Sequence, residues 1–196
     1  MVKDSLLTFL KNRFPLIIMF SLILTITMHL SVSEITLIIL ILTILLFLHS
    51  FLHEFGHAIT ASLLGFKVTR FTTNRVNIED EPSTFEEIKS SMDKTKYGII
   101  GISGCITTLS VGYILLSIAH NSRKGMDIIQ FYIWYFTLLI YLLGDAGYLI
   151  LGSISMKGDP VGISAGFNIS RWVVFSFGLF IVLINVLLIW RFFYIG

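Results

Sequence analysis

Five runs of apolar residues, each long enough to cross a lipid bilayer as a helix, constrain this chain more than any other feature. The core of a bilayer is spanned by about 20 such residues. The runs cover residues 14–30, 35–66, 98–119, 128–150 and 172–190. Only 26 of the 196 residues are charged, about half the usual share, and so few charges cannot cover a water-soluble fold. We therefore expect one all-α polytopic membrane domain over residues 1–196, embedded in the lipid bilayer.

Two of the predicted spans carry an alternative. Basic residues precede residues 14–30 and small polar residues follow them, so this run could also be a cleaved signal peptide, although its apolar core is longer than is typical. The run at residues 35–66 would extend about 48 Å as a helix. This is more than the bilayer core requires, so the segment must tilt, protrude or break.

The connecting segments are short, except for one polar loop at residues 67–97. Its β-branched residues predict one or two short strands over residues 68–78. Ser83 and Glu86 have the spacing of a capping box, which predicts the start of a short helix. Residues 153–171 read as a glycine-containing loop, in which Asp159-Pro160 is typical of a turn.

The basic residues predict the orientation of the chain. Most of them fall on one side of the membrane if the N-terminus is cytoplasmic, as the positive-inside rule requires. Those on the cytoplasmic side would be Lys3, Lys11, Arg13, Lys67, Arg70, Arg75, Lys89, Lys94, Lys96, Lys157 and Arg171. Those on the other side would be Arg123, Lys124 and Arg191. We expect an integral protein of the cell membrane with a cytoplasmic N-terminus, and the formal net charge of +2 gives no indication of nucleic-acid binding.

One short motif, His-Glu-Phe-Gly-His at residues 53–57, contains the residues that most clearly indicate a chemical function. Residues four apart share one face of a helix, so His53 and His57 can bind one zinc ion, and Glu54 is placed to accept a proton from water. Ionisable residues are costly inside a membrane, and three of them within five residues indicate a site. His49 lies one turn before His53, but it is too far from His57 to share an ion with it. We expect His49 to be a polar neighbour or a hydrogen-bond partner.

A third protein ligand is expected, because catalytic zinc usually has three and keeps one position open. Asp145 is the candidate, as the acid deep in the fourth span, between Gly144 and Gly147. It could instead form a structural hydrogen bond between helices. Asp159 is a weaker rival as the ligand.

The motif and the downstream aspartate together resemble the site-2 protease family of intramembrane zinc metalloproteases. Residues 137–147 resemble the family's Asn-Leu-Leu-Pro…Leu-Asp-Gly motif, with the same eight-residue step to Asp145. Thr137, Ile140 and Ala146 stand where the family usually has asparagine, proline and the first glycine. Residues 101–112 are similar to its glycine-containing third helix. The resemblance covers roughly residues 35–152, the three-helix catalytic core.

The resemblance implies a zinc metalloendopeptidase that hydrolyses a peptide bond in or near the transmembrane segment of a membrane-protein substrate. One zinc ion per chain would be held by His53, His57 and Asp145, with Glu54 as the base. An edge of residues 67–78 is a candidate support for an extended substrate. The competing hypothesis is a non-proteolytic metal-binding membrane protein, either a transporter or a regulatory scaffold, because histidines and aspartates also line ion pathways. A purely structural membrane protein is a third possibility.

Overall fold

The computed structural model describes residues 31–195 except 74, 80, 81, 83, 123 and 124. Within this part the chain forms six α-helices, a two-stranded sheet and a closing π-helical turn. In chain order they are α1 (Val32–Leu63), β1 (Val68–Thr72), β2 (Arg75–Ile78), α2 (Phe85–Ser90), α3 (Lys94–Ser122), α4 (Ile128–Ser155), α5 (Asp159–Phe167), α6 (Arg171–Trp190) and the turn Arg191–Ile195. The predicted span at residues 14–30, with its signal-peptide alternative, lies outside the described residues.

Four of these helices (α1, α3, α4 and α6) are long and apolar enough to cross a membrane. They coincide with the four predicted spans that fall in the described part, with boundaries shifted by up to five residues. The expectation of a mostly helical chain with a small sheet in its polar loop is confirmed.

Helix α1 is continuous over 32 residues, so the long apolar run does not break. Ser31 begins it with a capping box: its side chain accepts a hydrogen bond from the Glu34 amide, and the Glu34 carboxylate accepts one from the Ser31 amide at 2.8 Å. The helix ends at Leu63, before Gly65 with its positive φ of 86°. His53 lies ten residues from this end, and Asp145 lies ten residues from the end of α4. Both residues therefore lie in the C-terminal halves of their helices.

The polar loop contains a β-hairpin, as its β-branched residues predict. Strands β1 and β2 pair in antiparallel register, with Phe71 opposite Val76. Val76 and Ile78 pack with Ala61 of α1 and Ile100 of α3. The hairpin is thereby held against the half of α1 that carries the His-Glu-Phe-Gly-His motif.

The short helix after the hairpin is also present, but its cap differs from the prediction. Thr84 caps α2 and forms the capping box with Glu87, instead of Ser83 with Glu86. Both pairs match the same spacing in this stretch, so the sequence pattern alone does not separate them.

The segment between α4 and α6 differs more from the expectation. Asp159-Pro160 is not a turn but the first turn of helix α5, where the missing amide of proline costs nothing. Helix α5 packs on α3, and Gly166 and Gly98 meet so closely that a side-chain carbon on Gly166 would collide with the Gly98 backbone. The intrinsic helix propensity of α5 is weak, and tertiary packing stabilises it. The local sequence therefore does not predict this helix.

Candidate metal centre

The two histidines of the motif point to the same side of α1 and lie against each other. Their ring centroids are 4.7 Å apart, and their Nε2 atoms are separated by 3.1 Å. Both residues are buried, with 8% of His53 and 6% of His57 exposed. The helical spacing thus places both imidazoles at one point, as the sequence predicts.

The Nδ1 atoms of the two rings face away from this point, toward groups that accept hydrogen bonds. His57 Nδ1 lies 2.6 Å from the carbonyl oxygen of Ile100 on α3. His53 Nδ1 lies 3.1 Å from Oδ2 of Asp145 on α4. A carbonyl can only accept, so His57 Nδ1 carries a hydrogen and donates it to Ile100. His53 has a carboxylate oxygen at each ring nitrogen, that of Asp145 at Nδ1 and that of Asp159 at Nε2. Such outer partners orient histidines that bind metals.

Asp159 supplies the third donor atom at this point. Its Oδ2 atom is 2.9 Å from His53 Nε2 and 3.4 Å from His57 Nε2. Burial opposes ionisation of this carboxyl, but its contacts with His53 and His57 outweigh that effect. The pKa of Asp159 therefore lies below its ordinary value, and the carboxylate is available as an anionic ligand.

Asp145 lies on the far side of His53. Its Oδ2 atom contacts His53 Nδ1, accepts a hydrogen bond from Thr108 and lies 3.5 Å from His49 Nε2. The potential ligand atoms of the predicted trio, His53, His57 and Asp145, therefore do not meet at one point. Those of His53, His57 and Asp159 do. The reason is geometric: α4 approaches the outer edge of the His53 ring, whereas the first turn of α5 reaches the inner edge.

The three converging atoms fit a tetrahedral metal ion. Ligands at zinc distances of about 2.0–2.1 Å from the ion lie roughly 3.3–3.4 Å from one another, and the separations here are 2.9, 3.1 and 3.4 Å. Two imidazole lone pairs and a carboxylate at these distances repel one another unless a cation or a proton lies between them. Two imidazoles and a carboxylate are also a donor set that zinc favours.

Gly104 of α3 leaves room beside these donor atoms. A side-chain carbon on Gly104 would lie 2.6 Å from His57 Nε2 and 2.8 Å from His53 Nε2. Any larger residue would therefore press on the inner edges of both imidazoles. The sequence alone does not single out Gly104, because its opposition to the histidines depends on how α3 crosses α1.

Glu54 lies beside the two histidines and is half-buried. Its carboxylate is within electrostatic range of His57, His53 and Asp159, and it lies near the backbone of Val76 in β2. The base predicted from the motif is thus at the border between the candidate metal centre and the hairpin.

Two further residues adjoin the centre. His49 packs edge-on against Tyr141, with ring centroids 5.2 Å apart, and faces Asp145. Cys105 is buried, and together with His53 and Asp145 it forms a second group of potential ligand atoms. Both residues therefore belong to the polar layer behind His53 and not to the point where the two Nε2 atoms meet.

Comparison of the chain with protein-family models, with curated proteins and with solved structures returned no match.

Proposed function

We propose that this chain is an integral membrane zinc metalloendopeptidase that hydrolyses a peptide bond in or near a transmembrane segment of another protein. His53, His57 and Asp159 would hold one zinc ion, Asp145 would orient His53, and Glu54 would be the general base. The N-terminus would be cytoplasmic, and the centre would face the cytoplasmic side. Four helices long and apolar enough to cross a membrane support the setting.

One observation carries this proposal. Three potential ligand atoms, His53 Nε2, His57 Nε2 and Asp159 Oδ2, converge within 3.4 Å of one another on two buried histidines and a half-buried aspartate. Two imidazoles and a carboxylate that meet at one point are a donor set that zinc favours. Oxygen atoms of Ile100 and Asp145 lie at the opposite nitrogen of each ring, where outer partners of metal-binding histidines are found.

The reaction would use Glu54 to move one proton. Glu54 would take a proton from the attacking water as its oxygen bonds to the carbonyl carbon of the scissile peptide, and would pass that proton to the amide nitrogen as the carbon–nitrogen bond breaks. Bound zinc would supply a Lewis acid that polarises the carbonyl and lowers the pKa of the water. The position of Glu54 beside both histidines favours this role.

A substrate in the membrane is expected to be helical, because backbone groups in lipid must be hydrogen-bonded internally. Cleavage therefore requires local unwinding, and an extended peptide needs new partners for its backbone. The β-hairpin offers them. The Glu79 amide donates to the Lys67 carbonyl across the hairpin at 2.9 Å, so by alternation the amides of Val76 and Ile78 point away from β1. Within the described residues no further strand pairs with this edge of β2, which runs past Glu54.

Proline at Ile78 is expected to reduce cleavage about fivefold, because it removes one outward amide worth about 1 kcal/mol as a hydrogen-bond donor and leaves the Val76 amide beside Glu54 in place. Zinc content should stay at the wild-type value, and both quantities can be measured on the purified variant. A matched control is proline at Thr69, which lies at the irregularity of β1 outside the paired positions. Equal cleavage by the Ile78 variant and wild type would contradict a substrate role for the edge.

The experiment that tests the proposed function is cleavage of a single-span membrane protein in proteoliposomes. We expect cleavage in or near the span that stops when a chelator removes the metal and returns when zinc is added. Cleavage insensitive to zinc removal, or no cleavage of any single-span substrate by zinc-loaded protein, would contradict the proposal.

Transport of a divalent metal is the second candidate, because polar groups continue behind the centre. Asp145 lies between His53 and His49, and Cys105 adjoins them, so potential ligands extend one helical turn further along α1. Intramembrane ladders of this kind line ion pathways. Zinc flux into liposomes without any cleavage would favour transport over hydrolysis.

A further inference from the structure

Tyr148 of α4 is close to the candidate metal centre but has no part in the mechanism above. It follows Asp145 by three residues, so both side chains emerge from the same face of α4. Its ring meets the His53 ring edge-on, with centroids 6.2 Å apart and an interplanar angle of 86°. With 40% of the residue exposed, Tyr148 borders the open side of the centre.

The hydroxyl group of Tyr148 lies against the turn that leads into α5. Gly158 has a positive φ of 69°, and a side-chain carbon at this position would overlap the Tyr148 hydroxyl. The turn is therefore shaped around the tyrosine, since only a glycine combines this backbone conformation with this close approach.

These contacts link two of the three donor groups. The ring of Tyr148 borders His53, and its hydroxyl lies against Gly158. Gly158 directly precedes Asp159, whose carboxylate lies 2.9 Å from His53 Nε2. Asp159 is the first residue of a nine-residue helix with a Gly158 N-cap that makes no side-chain cap hydrogen bond. The position of the tyrosine hydroxyl therefore bears on the turn from which the Asp159 carboxylate extends.

We propose that Tyr148 is a positioning residue of the metal centre, whose hydroxyl fixes the Gly158–Asp159 turn so that the Asp159 carboxylate stays at the histidine pair. This inference rests on the proposed metal centre and adds a residue that the sequence motif does not contain. Tyr148 acts through Asp159 and His53, so its effect is expected on metal affinity before any effect on hydrolysis.

The test is Tyr148→Phe, which removes the hydroxyl and keeps the ring against His53. Zinc affinity is measured by competition with a fluorescent chelator on the full chain in detergent. We expect zinc to bind about tenfold to a hundredfold more weakly than to wild type, the usual effect of losing an outer-shell partner. The visible absorption spectrum of the cobalt(II)-substituted variant should also change, because it reports ligand geometry.

The matched control is Tyr113→Phe, which removes a hydroxyl that donates to Asn185 at 2.9 Å, between α3 and α6. It should leave zinc affinity and the cobalt spectrum as in wild type. Wild-type affinity and spectrum in Tyr148→Phe would overturn the positioning role while leaving the metal centre in place. Equal weakening by both substitutions would also overturn it, since the loss would then be a general effect of packing. A wild-type chain that binds no zinc would overturn the centre itself and this inference with it.

Discussion

Glutamine in place of Glu54 is expected to lower the rate of peptide hydrolysis by about a hundredfold to ten-thousandfold, the usual contribution of a general base. Glutamine has nearly the same shape as glutamate but cannot take a proton from water. None of the three converging donor atoms belongs to Glu54, so zinc content should remain about one ion per chain. The rate is measured with a reconstituted single-span substrate, and zinc is measured on the same sample.

A suitable control for this substitution is Glu79→Gln. Glu79 directly follows β2, but it is exposed and pairs with Lys67 at 2.9 Å, so its loss should leave the rate near that of wild type. Full activity in Glu54→Gln would exclude Glu54 as the base. If the wild-type chain cleaves no substrate and zinc still enters liposomes that contain the Glu54→Gln variant, these results would favour the transporter.

Alanine in place of Asp159 is expected to remove zinc almost completely after dialysis against a weak chelator. The substitution takes away the carboxylate that meets both Nε2 atoms, and two imidazoles alone leave the ion with one ligand fewer than catalytic zinc sites use. Hydrolysis should fall to background in the same sample. Zinc is measured per chain by elemental analysis.

Alanine in place of Asp145 provides the informative comparison. Because Asp145 contacts His53 through Nδ1, its loss should weaken zinc binding by about tenfold to a hundredfold, as the loss of an outer partner does. Zinc should still be recovered when it is supplied in excess. The opposite pattern, with zinc absent from the Asp145 variant and retained by the Asp159 variant, would restore Asp145 as the third ligand.

The long apolar helices and the histidine pair could be predicted from the sequence because both depend on local patterns. A run of about 20 apolar residues predicts a helix long enough to span a bilayer without reference to the rest of the fold. The four-residue step from His53 to His57 fixes one helical face in the same way. The β-branched residues of the polar loop likewise predicted the hairpin.

The remainder of the centre depends on how distant elements pack, which no local pattern records. Asp159 reaches the histidines because α5 is held on α3 by close backbone contact at Gly98 and Gly166. Ile100 contributes only a carbonyl oxygen, and Gly104 contributes only the absence of a side chain. Asp145, the more prominent acid in the sequence, does lie beside His53, but at the other nitrogen of the ring. The sequence therefore predicted an acidic residue beside the histidines without distinguishing the inner carboxylate from the outer one.

The most direct test of the central claim is zinc K-edge X-ray absorption on the wild-type chain, purified in detergent with its metal content measured. The account predicts one zinc ion per chain, with two imidazole nitrogens and carboxylate oxygen at about 2.0–2.2 Å and no sulfur ligand. A chain without zinc would contradict the claim. So would a sulfur ligand at about 2.3 Å, because it would place the ion at Cys105 and Asp145, behind His53.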